Sequence, residues 1–185
     1  MSVRESLHVA PVGAVATARH YLRDMVYGAT DGIVTTFAVV AGVAGGALSP
    51  RVALIIGAAN LVADGLSMAV GNYLSINSHE GVRRAAGLPE EESEPVRHAL
   101  ATFFAFAIAG LLPLLPYILP VPPAWRFGSA IALTLFALFA TGVLRAFVTG
   151  EDWLTNGLQM LGLGAAVAAV AYGAGLLIVS LGATP

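Results

Sequence analysis

The stretch from Met25 to Leu48 reads MVYGATDGIVTTFAVVAGVAGGAL, with Asp31 as its one charged side chain. About 20 mainly apolar residues cross a bilayer as a helix, because each rises about 1.5 Å through a hydrocarbon layer about 30 Å thick. The next stretch, Val52 to Ile76 (VALIIGAANLVADGLSMAVGNYLSI), repeats the pattern with Asp64 as its one charge. Three more apolar stretches follow, Ala99 to Leu119, Phe127 to Val148 and Leu154 to Leu181. Ser49-Pro50, Pro120 with Pro122-Pro123, and Gly150-Glu151-Asp152 punctuate them. Every backbone group in a bilayer needs an internal partner, so spans of this length are helices. Strands of a membrane barrel would be half as long and would alternate in polarity, which these do not. The expected fold is all-α: a polytopic membrane protein of five transmembrane helices in residues 23–185.

Composition agrees. Of 185 residues, 57% are apolar and 11% charged, with mean hydropathy +0.81. A soluble domain carries about 25% charged residues, and a disordered chain has low hydrophobicity, so both classes are excluded. There is no cysteine, which removes disulfides, thiolate metal sites and a cysteine nucleophile. All nine basic residues are arginine, and the net charge of −2 gives no reason to expect a nucleic-acid partner.

With the N-terminus in the cytoplasm, Arg4, Arg19, Arg23, Arg83, Arg84, Arg97 and Arg145 lie inside and only Arg51 and Arg126 outside. That bias fits the positive-inside rule, and five spans then put the C-terminus outside. The first residues lack the continuous apolar run of a cleavable signal. Residues 1–22 read as a cytoplasmic segment, either an amphipathic helix lying on the membrane surface from Pro11 onward or a disordered tail. The absence of lysine and of a recognisable eukaryotic sorting signal points to a prokaryotic cytoplasmic membrane.

The informative residues are the acids within apolar spans. A carboxylate at membrane depth costs several kcal/mol, faces the bundle interior and usually marks a pathway. The plainer reading of Asp31 and Asp64 is a pair of helix-packing acids, hydrogen-bonded across an interface. Asn60, Asp64 and Met68 are spaced i, i+4, i+8 and stack on one helical face. Counting residues from the cytoplasmic ends of the first two spans puts Asp31 level with Met68 and Asp64 a turn deeper. Carboxylate and amide oxygens with one thioether suit Fe(II) or Mn(II), the sulfur tilting selection away from Mg(II) and Ca(II). Met68 has an ordinary reading too, as apolar packing. No span contains a histidine, which argues against a zinc site. Gly28/Gly32 and Gly42/Gly46 are small-residue pairs for helix packing or a dimer contact. Pro113 and Pro116 would kink the third span.

At these residues the sequence resembles the vacuolar iron transporter family. Asp31 to Gly42 (DGIVTTFAVVAG) is similar to that family's first-helix signature, and Ala63 to Leu74 (ADGLSMAVGNYL) to its second. Further matches are Gly110 to Pro116 (GLLPLLP) and Gly157 to Leu161 (GLQML). The resemblance implies a five-helix subunit acting as a homodimer, with the path near the subunit interface. It also implies export of Fe2+, often Mn2+, from the cytoplasm in exchange for protons. By position, Asp31 matches the path's first-helix acid and Met68 its methionine ligand. Plant-type members have a glutamate eight residues before that methionine, where this chain has Asn60; Asp64, one turn nearer, would supply the charge. The metal set is therefore Asp31, Asp64, Met68 and Asn60, with Asp31 and Asp64 coupling to protons.

Plant-type members also carry a long glutamate-rich cytoplasmic domain after the second span. Here His79 to His98 forms a short acidic loop holding Glu80, Glu90, Glu91, Glu92 and Glu94. Those acids either attract metal or form a solvated turn balanced by Arg83, Arg84 and Arg97. The metal is cargo, and no tightly bound cofactor is expected. A passive cation channel and a non-transporting scaffold or sensor remain as alternatives. An enzyme is not expected, since no nucleophile–base pair can be built within the spans.

Overall fold

A computed structural model describes residues 11–182, so residues 1–10, with Arg4, and residues 183–185 lie outside it. The described residues form helices and no strand: α1 (Ala14–Gly45), α2 (Pro50–Ala85), α3 (Pro95–Leu111), a 3-10 turn (Leu112–Leu114), α4 (Leu115–Ile118), α5 (Pro123–Thr149) and α6 (Trp153–Ser180). Five units are long and apolar enough to cross a membrane: α1, α2, Pro95–Ile118 as one, α5 and α6.

The ends follow local chemistry. Pro50, Pro95 and Pro123 open their helices at a position where the missing N–H is not needed. Gly150 closes α5 in the left-handed conformation, φ 78°, its N–H donating to Ala146 O at 2.8 Å. Asp152 caps α6 by accepting the Thr155 N–H at 2.7 Å. The Thr155 hydroxyl and N–H together hold the Asp152 carboxyl below the usual carboxylate range. Pro113 interrupts the third span, where the 3-10 turn takes over between α3 and α4, as expected for a residue without an N–H.

Two helices run further than hydropathy indicated. α1 is continuous from Ala14, so the boundary expected at residues 22–23 falls inside it. α2 continues past Ile76 to Ala85, which leaves only residues 86–94 as the connection to α3. His79 and Glu80 therefore stand on a helix and not in a loop, and Glu80 is buried. Hydropathy stops where the membrane stops, whereas a helix stops at a breaker, here Gly87 with φ +77°.

α1 is the central helix, touching α2, α3, α5 and α6, and its most extensive partner is α3. Phe37, Val40 and Ala41 of α1 pack with Leu61, Phe106, Leu114 and Ala130 in the main core cluster. The α1–α3 seam is made by small residues. A Cβ on Gly28 would stand within 2.4 Å of the Thr102 carbonyl oxygen, and one on Gly32 within 2.3 Å of that of Phe106. Gly110 returns the fit from α3, since its Cβ would lie 2.7 Å from the Gly32 carbonyl oxygen. In lipid, where the hydrophobic effect does not drive helices together, such backbone contact is the main source of packing energy. Gly28 and Gly32 thus serve packing within the subunit. By contrast α2 and α6 are the least buried spans.

Gly32→Ala is expected to destabilise the folded protein by about 1–3 kcal/mol through overpacking. Gly128→Ala, whose Cβ meets nothing within 4 Å, should leave the melting midpoint in detergent nearly unchanged. Equal midpoints for the two variants would contradict a tight α1–α3 seam.

Candidate functional site

Two hydrogen bonds fix how α1 and α2 face each other. The Asn60 amide donates to Thr35 Oγ1 at 3.3 Å, and the Asn72 amide donates to Asp24 Oδ1 at 2.8 Å. The helices are antiparallel, so moving four residues inward from the first pair reaches Asp31 on α1 and Asp64 on α2. Moving seven and eight residues inward from the second pair reaches the same two residues. The two carboxylates therefore stand at one level along the α1–α2 seam, between these two hydrogen bonds.

This register corrects the depth reading from the sequence. Asp31 is level with Asp64, and Met68 lies one turn nearer the α1 N-terminal end, in a groove with Tyr27, Ser67, Gly71, Asn72 and Ser75. Residue counting misplaced the pair because α2 continues beyond the apolar run that was used to mark its end. Asn60 and Asp64 line an adjoining open depression with Ala59, Ala63 and Ser67. Met68 also rests against the main core cluster, so its thioether combines packing with access to the groove. Gly57 turns away from this face and packs on Leu114. Asp31, Asp64, Asn60 and Met68 are all partly buried.

Neither Asp24 nor Asn72 is in the candidate site read from the sequence, although the periodicity reaches both: Asp24 is two turns from Asp31, and Asn72 two turns from Asp64. Asp24 is 2% exposed and fully engaged. One oxygen accepts from Asn72, and the other lies 2.5 Å from His98 Nδ1. Asn72 also reaches Thr102 Oγ1 at 2.8 Å, so α1, α2 and α3 are tied together at this end.

The acidic segment divides into different roles. Glu80 on α2 accepts the backbone N–H of Glu92 at 3.0 Å and of Glu91 at 3.2 Å, folding the connection back onto the helix. Glu91 pairs with Arg83 at 2.9 Å, and Glu94 with Arg97 at 2.9 Å. Glu90 is exposed. Glu92 points inward, toward His98 and His20.

The model of the VIT family matches residues 22–86 and 80–176, covering both signature stretches and reaching into all five spans. This chain belongs to the VIT family. Vacuolar iron transporter homolog 1 of Oryza sativa subsp. japonica is 33% identical over 175 residues, which cover 88% of this chain and 75% of that protein. Vacuolar iron transporter 1 of Arabidopsis thaliana is 25% identical over 214 aligned positions, covering 84% of this chain and 85% of its own. The vacuolar iron transporter of Toxoplasma gondii is 26% identical over 228 positions, covering 88% and 76%. Both longer alignments exceed the 185 residues of this chain, so those relatives carry inserted segments that it lacks. The family model itself matches in two pieces that overlap at residues 80–86, the end of α2, just before the short connection of this VIT-family member.

Glu80→Ala leaves the part-buried amides of Glu91 and Glu92 without their acceptor, at a cost of about 1 kcal/mol. Limited proteolysis is expected to cut between residues 86 and 94 several times faster than in the wild type. An unchanged cleavage rate would show that Glu80 does not hold the connection.

Proposed function

We propose that this VIT-family protein carries Fe2+ or Mn2+ across a membrane in exchange for protons, with Asp31 and Asp64 as the shared binding groups. The observation that supports this reading is their placement at one level between α1 and α2. Two ionised carboxylates side by side in a low-dielectric layer repel each other and lose their hydration. A divalent cation between them relieves both costs, and so do protons. One site that must hold either a metal or protons is the minimal device for their exchange.

Asn60 adds an amide oxygen beside Asp64, while Thr35 holds the amide nitrogen. Met68, one turn nearer the cytoplasm, offers a thioether that favours iron and manganese over Mg2+ and Ca2+. The arginine-rich end, with Arg83, Arg84, Arg97 and Arg145, faces the cytoplasm. Metal loads there and leaves on the outer side when protons entering from outside take its place. The host is the cytoplasmic membrane of a prokaryote, the C-terminus lies outside, and no covalent chemistry is involved.

The working unit is a homodimer. The face of α2 that carries Asp64 opens outward from the subunit, and only 22% of the α2 span is buried. A carboxylate left on such a face would meet hydrocarbon, and a second copy of the chain across a two-fold axis would cover it. Light scattering in detergent is expected to give twice the chain mass. A monomer that still transports would exclude the dimer as the working unit.

Proteoliposomes with a trapped metal indicator and a pH dye test the transport reading. Saturable Fe2+ or Mn2+ flux is expected with opposing proton flow. Asp31→Ala should reduce metal flux by at least about tenfold, as losing a ligand costs no less than losing its outer-shell support. Flux without proton movement would mean a channel or uniporter. No flux of either metal by folded protein would leave a scaffold.

A further inference from the structure

The cytoplasmic end of the bundle holds a second set of ligand-type side chains, away from Asp31 and Asp64. His20 comes from the first turns of α1, Glu92 from the α2–α3 connection and His98 from the start of α3. Glu92 Oε2 lies 2.9 Å from His98 Nε2 and 3.4 Å from His20 Nε2. One ligand atom from each residue can be chosen so that all three lie within 4.8 Å of one another. The His98 and His20 rings are 4.9 Å apart between centroids.

His98 is 4% exposed, and its buried Nε2 faces the Glu92 carboxylate. Its other nitrogen, Nδ1, lies against Asp24 Oδ2. Asp24 is fixed in turn by Asn72. A carboxylate behind one nitrogen of a histidine sets the tautomer, orients the ring and directs the lone pair of the other nitrogen forward. Nε2 faces a Glu92 oxygen at 2.9 Å, a contact that a proton or a metal cation between the two atoms would satisfy. Ligand bonds of about 2.0–2.2 Å place neighbouring ligand atoms roughly 3 Å or slightly more apart around an ion, which is the spacing of Glu92 Oε2 from each of the two histidine nitrogens. A cavity of about 420 Å³ adjoins these three residues and Asp24, reaching Ser75, His79 and Glu91, with room for water ligands and for entry.

We propose that His20, Glu92 and His98 form a two-histidine, one-carboxylate site for a first-row divalent transition-metal ion, with Asp24 as the positioning residue behind His98. Imidazole ligands select such ions over Mg2+ and Ca2+, and three protein ligands leave positions open for water. Its ligand on α1, His20, stands about 16 Å from the Asp31 level along the helix, eleven residues away. It rests on its own geometry and stands whether or not the seam between α1 and α2 transports metal. An ion bound here joins α1, the connection and α3.

The test is titration of the full-length protein in detergent with CoCl2, followed by the visible ligand-field absorption of Co2+ and by equilibrium dialysis. Wild type is expected to bind Co2+ with nitrogen-type bands that excess Mg2+ does not displace, and its melting midpoint should rise on binding. His20→Ala and Glu92→Gln should each weaken these bands by at least about tenfold and abolish the rise in midpoint. His20→Asn, which keeps a polar side chain of similar size, serves if His20→Ala folds poorly. Asp31→Asn should retain the bands, separating this site from the transport path. Wild-type binding in the His20 and Glu92 variants, loss of the bands in Asp31→Asn, or no bands in the wild type would each overturn the proposal.

Discussion

The fold depends on one close contact, the backbone of α1 against that of α3. Gly28 and Gly32 face Thr102 and Phe106, and Gly110 faces Gly32, so that no side chain separates the two helices. In a bilayer, apolar side chains gain little by leaving lipid for protein, and dispersion between closely approaching backbones carries the packing. With α1 pinned to α3, α5 and α6 can pack on its other sides, and the core around Phe37, Val40 and Phe106 closes.

The same contact prepares the polar seam. Thr102 lies where Gly28 admits α3, and its hydroxyl receives the Asn72 amide that also holds Asp24. A seam of small residues thus sets the height of α2 beside α1, and that height puts Asp31 opposite Asp64. Two carboxylates at one level in an apolar layer are costly unless a cation or protons neutralise them, and the proposed exchange rests on that cost. The lightly buried α2 face gives the pair an open side, which a second subunit would cover.

The short connection after α2 is held in place by several of its own acids. Glu80, Glu91 and Glu94 are engaged with backbone amides, Arg83 and Arg97, holding the connection against the ends of α2 and α3. Glu92 alone is turned toward the two histidines. An acidic run that reads as uniform in sequence therefore separates into capping, ion-pairing and inward-facing residues once each side chain has a direction.

The five spans, the two membrane acids and the family signatures were legible from the chain alone. Hydropathy over about 20 residues is a local property, and a lone carboxylate in an apolar run stands out against it. The proline break in the third span was local for the same reason. Only the tertiary structure decided which residues share a level. The Asp31–Asp64 register depends on where two helices dock, and an error of one turn at a helix end moves every pairing by about 5 Å. The same holds for His20, Glu92 and His98, which are widely separated in sequence and drawn from three segments. No spacing rule links them, because α1 had to continue past its apolar run and α3 had to dock against it before they could meet.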